Sequence, residues 1–224
     1  TAVGFTGSFQ GGRALCELAA ARPEPIPVFA EMGSANPVVV LPQALAERGA
    51  GIAAQLADSA LLAQGQFCTS PGLVVWLDGP GGDAFAAELR ARLTGAPGGP
   101  TVHPAIRAGF ERALDEVREL PVEVEAKAPG ARSGATDVCP AFLRANAADV
   151  LLHPRLRSEI YGPAMLGVAC RSRDELRELL ASLHGHLTGT VHGTVDDLRT
   201  YAAEVAALRR RVGRLIANGV PTGV

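Results

Sequence analysis

The sequence predicts an α/β fold: a three-layer open sheet, mostly parallel, with helices on both faces. The first observation behind this prediction is that short apolar runs alternate along the chain with longer segments of helical periodicity. The second is that these runs are apolar at nearly every position, which is typical of strands covered on both faces. The third is the composition, because 224 residues that are 47% hydrophobic and 20% charged can bury a substantial core.

The predicted elements follow one another in this alternating order. Apolar runs predict strands at residues 1–6, 27–31, 37–41, 73–77, 122–126, 137–144, 164–169 and 188–191, with a last apolar segment at residues 215–218. Helical periodicity predicts helices at residues 10–21, 45–63, 83–93, 104–120, 172–183 and 195–211. The start of the fifth helix is indicated by Ser172 and Asp174. Two segments, residues 94–101 and 128–134, are expected to be surface connections.

The charge balance gives no electrostatic reason to expect nucleic acid or an anionic membrane as a partner. The formal net charge is -2 and the pI is about 6.2. The one basic cluster, Arg209, Arg210, Arg211 and Arg214, is expected on a solvated helix face. No apolar stretch approaches the ~18 uncharged residues of a membrane span.

The cysteines and histidines do not suggest a structural cross-link or a metal site. Four cysteines are scattered without a C-x-x-C pair, which fits a reducing, cytoplasmic setting. His184, His186 and His192 have no acidic partner nearby and are interpreted as loop and strand residues. The chain starts without Met or a signal segment, and residues 1–5 are typical of a strand entered partway, so we expect a piece of a longer protein.

Cys68 is the strongest candidate for a catalytic nucleophile. It lies in the segment GQFCTSP, between a long predicted helix and a buried strand. The thiolate is the reactive form of cysteine, and exposed backbone N–H groups in such a turn would favour it and stabilise an oxyanion on the attacked carbon. The ordinary alternative is that Cys68 is a small core residue, the commoner role of a free cysteine.

Three other segments carry residues suited to chemistry. Gly7 and Ser8 lie at a strand-to-helix junction, where the free N–H groups and the helix dipole suit a phosphate. Glu31 ends an apolar run beside a Gly turn and can act as a general base on water. Glu159 precedes a Gly-Pro turn and can accept hydrogen bonds from a diol such as a ribose. Each has an ordinary structural alternative. Ser8 would be a plain N-cap with glycines for close packing, Glu31 a member of an ion pair, and Glu159 a residue that stabilises the turn.

Taken in order, these segments resemble those of the aldehyde dehydrogenase superfamily. Its FTGS, ELGG, GQxC and EIFGP turns correspond here to FTGS, EMGS, GQFC and EIYGP. The departures are Met32, Ser34 and Tyr161, which stand in place of Leu, Gly and Phe. HGHLTGT and NGVPTGV extend the resemblance across nearly the whole chain. Within the superfamily the chain looks most like 2,5-dioxopentanoate (α-ketoglutarate semialdehyde) dehydrogenases, with NADP-dependent fatty aldehyde dehydrogenases as a related branch.

The resemblance implies a role for each candidate residue. Cys68 would add to the aldehyde, and the resulting thiohemiacetal would pass hydride to nicotinamide and leave a thioester. Glu31 would activate the water that hydrolyses the thioester. Glu159 would hold the nicotinamide ribose, and Gly7 and Ser8 would face the cofactor pyrophosphate. The implied cofactor is NAD or NADP, with NADP favoured, and the implied partners are a small-molecule aldehyde and, for the full-length protein, further copies in a homo-oligomer.

The resemblance also implies a domain organisation. Residues 1–30 would be the tail of an NAD(P)-binding domain, and residues 31–224 a catalytic domain cut short at its C-terminal end. In the family, an N-terminal half without counterpart here supplies most of the cofactor site and an oxyanion-hole asparagine, so this chain alone is expected to be inactive. Two alternatives stay open: a cysteine-dependent esterase or acyl-transfer enzyme built on Cys68 and Glu31, and a non-catalytic fragment that only binds a partner or itself.

Overall fold

The chain consists of two compact units, Thr1–Ser34 and Ala35–Val224. A computed structural model describes residues 1–126 and 134–223. The assignment of residues 1–30 to a cofactor-binding domain and of the remainder to a catalytic domain stays a prediction.

The smaller unit is one strand-helix-strand motif. Strands β1 (Val3–Thr6) and β2 (Val28–Glu31) pair in parallel, and helix α1 (Phe9–Ala20) connects them. Gly12 of α1 packs so closely on Met32 that a Cβ added at Gly12 would lie 2.5 Å from the Met32 sulfur. The glycines at the start of this helix therefore serve close packing within the unit.

The main sheet lies in the larger unit and, among the described residues, has seven strands. The strands of this unit are β3 (Val38–Val40), β4 (Leu73–Leu77), β5 (Gly99–Pro100), β6 (Glu123–Ala126), β7 (Asp137–Val138), β8 (Ala141–Asn146), β9 (Ala164–Cys170), β10 (His186–His192) and β11 (Val212–Ala217). Their order across the sheet is β11-β10-β3-β4-β9-β8-β6. Neighbours pair in parallel except β6 and β8, while β5 and β7 form a separate antiparallel ribbon.

Helices connect the strands of this sheet. They are α2 (Pro42–Leu61), α3 (Gly82–Gly95), α4 (Pro104–Arg118), α5 (Ala147–Leu152), α6 (Arg173–Ser182), α7 (Val195–Thr200) and α8 (Ala202–Arg209), with 3-10 turns at Leu62–Gly65 and Pro154–Arg157. Ser172 caps α6 by accepting a hydrogen bond from Glu175 N, which confirms its predicted position at the helix start. Within the described ranges, no helix combines the length and apolar character needed to cross a membrane.

Alternate residues of the same strands serve two separate hydrophobic cores. Val38 and Val40 of β3 belong to the core formed with α2 and α3, where Trp76 and Phe85 meet edge to face at 5.5 Å between ring centroids. Val39 belongs to the opposite core, formed with α4, α6 and α8. Since the side chains of a strand alternate between its faces, two cores mean helices on both sides. The three-layer, mostly parallel α/β prediction is confirmed.

Two predicted elements are interrupted. The predicted strand 137–144 breaks at Cys139-Pro140, so that β7 pairs with β5 and only β8 joins the main sheet. Pro140 has no N–H to donate to a ladder, which accounts for the break. The predicted helix 195–211 breaks at Tyr201, whose ring lies 4.5 Å from the Arg173 guanidinium carbon.

The basic cluster is not on a helix face, and the prediction for it was wrong. Arg209 ends α8, Arg210 and Arg211 lie in the following turn, and Arg214 is in β11. The prediction failed because the chain turns directly from the helix into a strand. Of the two predicted surface connections, residues 94–101 contain β5, and residues 128–133 lie outside the described part of the chain.

Helix α2 begins three residues earlier than predicted because a distant carboxylate caps it. Asp197, at the start of α7, accepts hydrogen bonds from Gln43 N at 3.1 Å and Ala44 N at 2.8 Å. The N-cap residue itself, Leu41, makes no side-chain capping bond. Asp197 also completes a capping box with Thr194, so one buried side chain secures the first turns of two helices.

Candidate active site

The Cys68 loop, residues 62–72, connects α2 to β4. Immediately after α2, three consecutive residues take left-handed backbone conformations, with φ of 50° at Ala63, 56° at Gln64 and 67° at Gly65. For a residue with a Cβ this conformation costs about 1–2 kcal/mol. Such local strain persists only where the surroundings enforce it, and it concentrates at functional sites.

Cys68 is the only one of the four cysteines with an exposed side chain. Cys16 and Cys139 are half-buried, and Cys170 is buried in β9. Burial raises the pKa of the Cys170 thiol to about 12, with a smaller contribution from the nearby Glu175 carboxylate. Cys170 is therefore an unreactive core residue at neutral pH, which is the common role of a free cysteine.

The backbone around Cys68 presents hydrogen-bond donors. Ser70 N closes a turn by donating to Phe67 O at 2.8 Å. The N–H groups of Cys68 and Thr69 donate to no acceptor in the described part of the chain. Donors left open beside a nucleophile are the groups that an oxyanion on an attacked carbonyl requires.

The segment that carries Glu159 packs against the Cys68 loop. The Tyr161 hydroxyl donates a hydrogen bond of 3.0 Å to Gln66 O. Burial raises the pKa of Tyr161, and the neighbouring Glu159 carboxylate and Cys68 thiolate raise it further. Backbones also meet here, because a Cβ added at Gly65 would lie 2.2 Å from Gly162 O. Within the larger unit, Cys68 and Glu159 thus lie close enough to Tyr161 for the charge of each to act on its hydroxyl.

The three predicted residues of the smaller unit also come together. Ser8 caps α1, and its hydroxyl accepts a hydrogen bond from Gly11 N at 3.2 Å. Gly7 N donates to Glu31 O at 3.0 Å, at the end where the parallel strands β1 and β2 both finish. Gly7, Ser8 and Glu31 therefore share one edge of this unit, as expected for the carboxyl ends of parallel strands.

Each unit has one feature that bears on a nucleotide cofactor. Helix α1 is 12 residues long, has no acidic side chain in its first turn, and starts with the exposed Phe9 and Gln10. Such a helix N-terminus offers N–H donors and a positive dipole end to a phosphate. Glu159 is half-buried beside a cavity of about 20 Å³, which is enough for a water molecule but not for a sugar.

Two histidines, His186 and His192, lie in β10. His186 Nδ1 accepts a hydrogen bond from Ala35 N at 3.1 Å. Burial lowers the pKa of both His186 and His192 to about 4, with nearby His184 and Arg48 respectively adding to the effect. In residues 1–126 and 134–223, no group of three or more His, Cys, Asp or Glu side chains is placed to hold a metal ion.

The sequence analysis missed two residues of the Cys68 surroundings. One is Tyr161, which was noted only as a departure from the Phe of the family pattern. The other is Asn36, a fully buried residue with φ of 45° that binds the Cys68 loop. A signal was present in the second case, since Asn tolerates left-handed backbone better than most residues and stands here beside Pro37.

Comparison with protein families gives a match over nearly the whole chain. The family model described as "Aldehyde dehydrogenase family" matches residues 1–223. The Azospirillum brasilense "Alpha-ketoglutaric semialdehyde dehydrogenase 2" is 43% identical over 223 residues, which are 100% of this chain and 42% of that protein. The Acinetobacter baylyi "Alpha-ketoglutaric semialdehyde dehydrogenase" is 35% identical over 227 residues, with 100% and 43% covered. The chain thus spans less than half the length of these relatives.

Solved structures share the fold at lower sequence identity. A Thermus 1-pyrroline-5-carboxylate dehydrogenase with bound NAD superposes with a TM-score of 0.76 at 18% identity, over 100% of this chain and 43% of the other. An NAD-dependent benzaldehyde dehydrogenase from Corynebacterium glutamicum gives a TM-score of 0.73 at 22% identity, over 99% and 47%. These likenesses concern the fold alone.

Proposed function

Because the chain belongs to the aldehyde dehydrogenase family, we propose that it supplies the nucleophile for NAD(P)-dependent oxidation of an aldehyde to a carboxylate. The aldehyde we propose is 2,5-dioxopentanoate, that is, α-ketoglutaric semialdehyde. The names of the relatives at 43% and 35% identity support this substrate. A fatty aldehyde is the other candidate from the sequence. A homo-oligomer of the full-length protein is part of the same proposal.

One observation carries the proposal. Cys68 is an exposed thiol beside two open N–H donors, on a loop packed against the Glu159 segment. A core cysteine needs neither exposure nor open donors. The combination suits a thiolate that attacks a carbonyl carbon and leaves a negative oxygen to be stabilised.

The proposed reaction proceeds in two stages on Cys68. The Cys68 sulfur forms a bond to the aldehyde carbon, and the carbonyl electron pair moves to the oxygen, which the N–H groups of Cys68 and Thr69 stabilise. When bound, NAD or NADP would supply the acceptor for the hydride that leaves the adduct carbon. The acyl group would then remain on Cys68 as a thioester. As the family resemblance implies, Glu31 would be the base that takes a proton from the water whose oxygen attacks the thioester, and the carboxylate would leave with Cys68 restored.

Three residues are proposed to hold the cofactor. Glu159 would accept hydrogen bonds from the nicotinamide ribose hydroxyls. The N-terminus of α1, with Ser8 at its cap and Gly7 before it, would face the pyrophosphate. The absence of any acidic side chain from the first turn of α1 supports this placement, since a carboxylate there would repel the phosphates.

Competitive alkylation of the native chain tests the nucleophile. With limiting iodoacetamide at pH 7 followed by peptide mapping, Cys68 is expected to react about tenfold or more faster than the other thiols, because it is exposed and flanked by open donors. C68S is the control and should lose the fast-reacting site while keeping its circular dichroism spectrum. Faster labelling of Cys16, Cys139 or Cys170 would contradict the assignment.

A second candidate, cysteine-dependent ester hydrolysis or acyl transfer, is favoured by one feature. Cys68 and its open donors all lie in the larger unit, and this chemistry needs no hydride acceptor. Hydrolysis of p-nitrophenyl acetate in the absence of nucleotide, abolished in C68A, would support it. No ester cleavage by a chain whose Cys68 is readily alkylated would count against it, and an unreactive Cys68 would instead favour a non-catalytic binding role.

A further inference from the structure

Asn36 connects the Cys68 loop to the middle of the main sheet. The residue is fully buried and lies two residues before β3. Its Nδ2 donates to Cys68 O at 2.9 Å and to Ser70 O at 2.9 Å. Its Oδ1 accepts from Thr188 Oγ1 at 2.8 Å and from Thr188 N at 3.3 Å, in β10. The Asn36 amide therefore connects Cys68 O and Ser70 O to β10, which lies two strands away from β4 in the sheet.

The chemistry of the partners fixes the orientation of this amide. Carbonyl oxygens only accept, so Cys68 O and Ser70 O require the NH₂ group. The backbone N–H of Thr188 only donates, so it requires the oxygen. A flipped amide would set an oxygen against two carbonyl oxygens and an NH₂ group against an N–H donor. The arrangement consequently allows a single orientation, with two donors directed at the Cys68 loop.

This contact also sets the direction of an open donor. Cys68 O and Thr69 N belong to one trans peptide group, in which C=O and N–H point in opposite directions. Because Asn36 holds Cys68 O toward the sheet, Thr69 N–H is turned away from Asn36. The same bond fixes the backbone from which the Cys68 side chain projects.

We infer that Asn36 is a positioning residue for the nucleophile: its amide holds the Cys68 backbone so that the thiol faces solvent and the open N–H donor is turned away from the sheet. This inference rests on the proposed role of Cys68. It adds a residue whose effect on the reaction passes through Cys68, without contact with the aldehyde or the cofactor.

N36D tests the inference, because Asp has the shape of Asn but replaces both donors by carboxylate oxygen beside two carbonyls. The measurement is the pH profile of Cys68 alkylation by iodoacetamide, read by peptide mapping. We expect the half-maximal pH to rise by about one unit, so that alkylation at pH 7 slows about tenfold. The matched control is N218D, because Asn218 also has a positive φ of 54° and its amide bridges backbone groups of Gly193, outside the Cys68 loop.

The outcomes separate positioning from general stability. A profile that shifts in N36D and in the uncharged T188V, and not in N218D, supports the inference, even if the variants unfold at lower temperature. A shift in N36D alone overturns it, because the added carboxylate by itself raises the half-maximal pH. An unchanged profile in folded N36D overturns it. If N36D does not fold, T188V is the deciding variant, because it removes only the Oγ1 donor to Asn36. The half-maximal pH of Cys68 alkylation is again expected to rise, and an unchanged profile overturns the inference. If Cys68 of the native chain is not the fastest-reacting thiol, it is the proposed function that fails.

Discussion

Gly65 occupies a position where no other residue fits. Its φ of 67° is left-handed, and a Cβ at this position would lie 2.2 Å from Gly162 O and 2.3 Å from Gly162 C. Both opposing atoms are backbone, so they cannot move aside as a flexible side chain would. The absence of a side chain at Gly65 is what allows the Cys68 loop and the Glu159 segment to touch.

G65A is expected to lower the free energy of unfolding by at least about 2 kcal/mol, through overpacking and left-handed strain together. Urea denaturation at pH 7 measures this. The control is G51A, in the interior of α2, where an added Cβ meets nothing within 4 Å. It should stabilise the chain by up to about 1 kcal/mol. Equal effects of the two substitutions would show that the contact with Gly162 is not specific.

At the residue scale, the sequence indicated the candidate reactive residues better than the residues that hold them in place. Cys68 and Glu159 could be singled out because their residue types and turns are local features. Asn36 could not, because its partners lie 32 to 152 residues away along the chain. The hydrogen bonds of a buried amide depend on which strands are neighbours in the sheet, and this information is not local to any segment.

At the scale of elements, the apolar centres of most strands of the main sheet were predicted well and the ends of helices less well. β4 has the predicted bounds, Leu73–Leu77, because its buried run is flanked by turn residues. The start of α2 was missed because its cap is Asp197, which lies 153 residues from Ala44. The short helix α5 was missed altogether, since six residues give too little periodicity to detect.

D197N is expected to destabilise the chain by about 1–3 kcal/mol. The substitution replaces one acceptor oxygen by an NH₂ group facing backbone N–H donors, and it removes a negative charge from the N-terminus of α2. The measurement is the urea midpoint at constant m-value. The matched control is the neighbouring D196N, since Asp196 is exposed and pairs with the exposed Arg199. A similar loss in both variants would contradict the capping role.

For the whole molecule, two histidines of β10, the buried His192 and the half-buried His186, predict a loss of stability in mild acid. The pKa of His192 lies at about 4 in the folded chain, below its ordinary value of 6.5, because of burial and Arg48, with the Gly219 backbone acting in the opposite direction. His186 is lowered to about 4 in the same way. Between about pH 6.5 and pH 4 the unfolded chain binds protons that the folded chain does not. The free energy of unfolding therefore falls as the pH drops from about 6.5 to about 4. Below pH 4 these histidines are protonated in both states and cause no further loss.

H192Q should make this pH dependence shallower. In native protein each histidine contributes on the order of 2 kcal/mol between pH 7 and pH 4, and the variant should lose about half of the combined slope. Urea unfolding at a series of pH values measures it. An unchanged slope in H192Q would show that other groups cause the acid sensitivity.

The hydrogen bonds of Asn36 also bear on how the protein is made. At translation rates of about 5–20 residues per second, Thr188 is added on the order of ten seconds after Cys68. During that interval β10 does not yet exist, and the strand that anchors the Asn36 oxygen is absent. A nascent chain can complete α2 and expose its cysteine, but that thiol has no fixed place in the fold until the C-terminal strands dock.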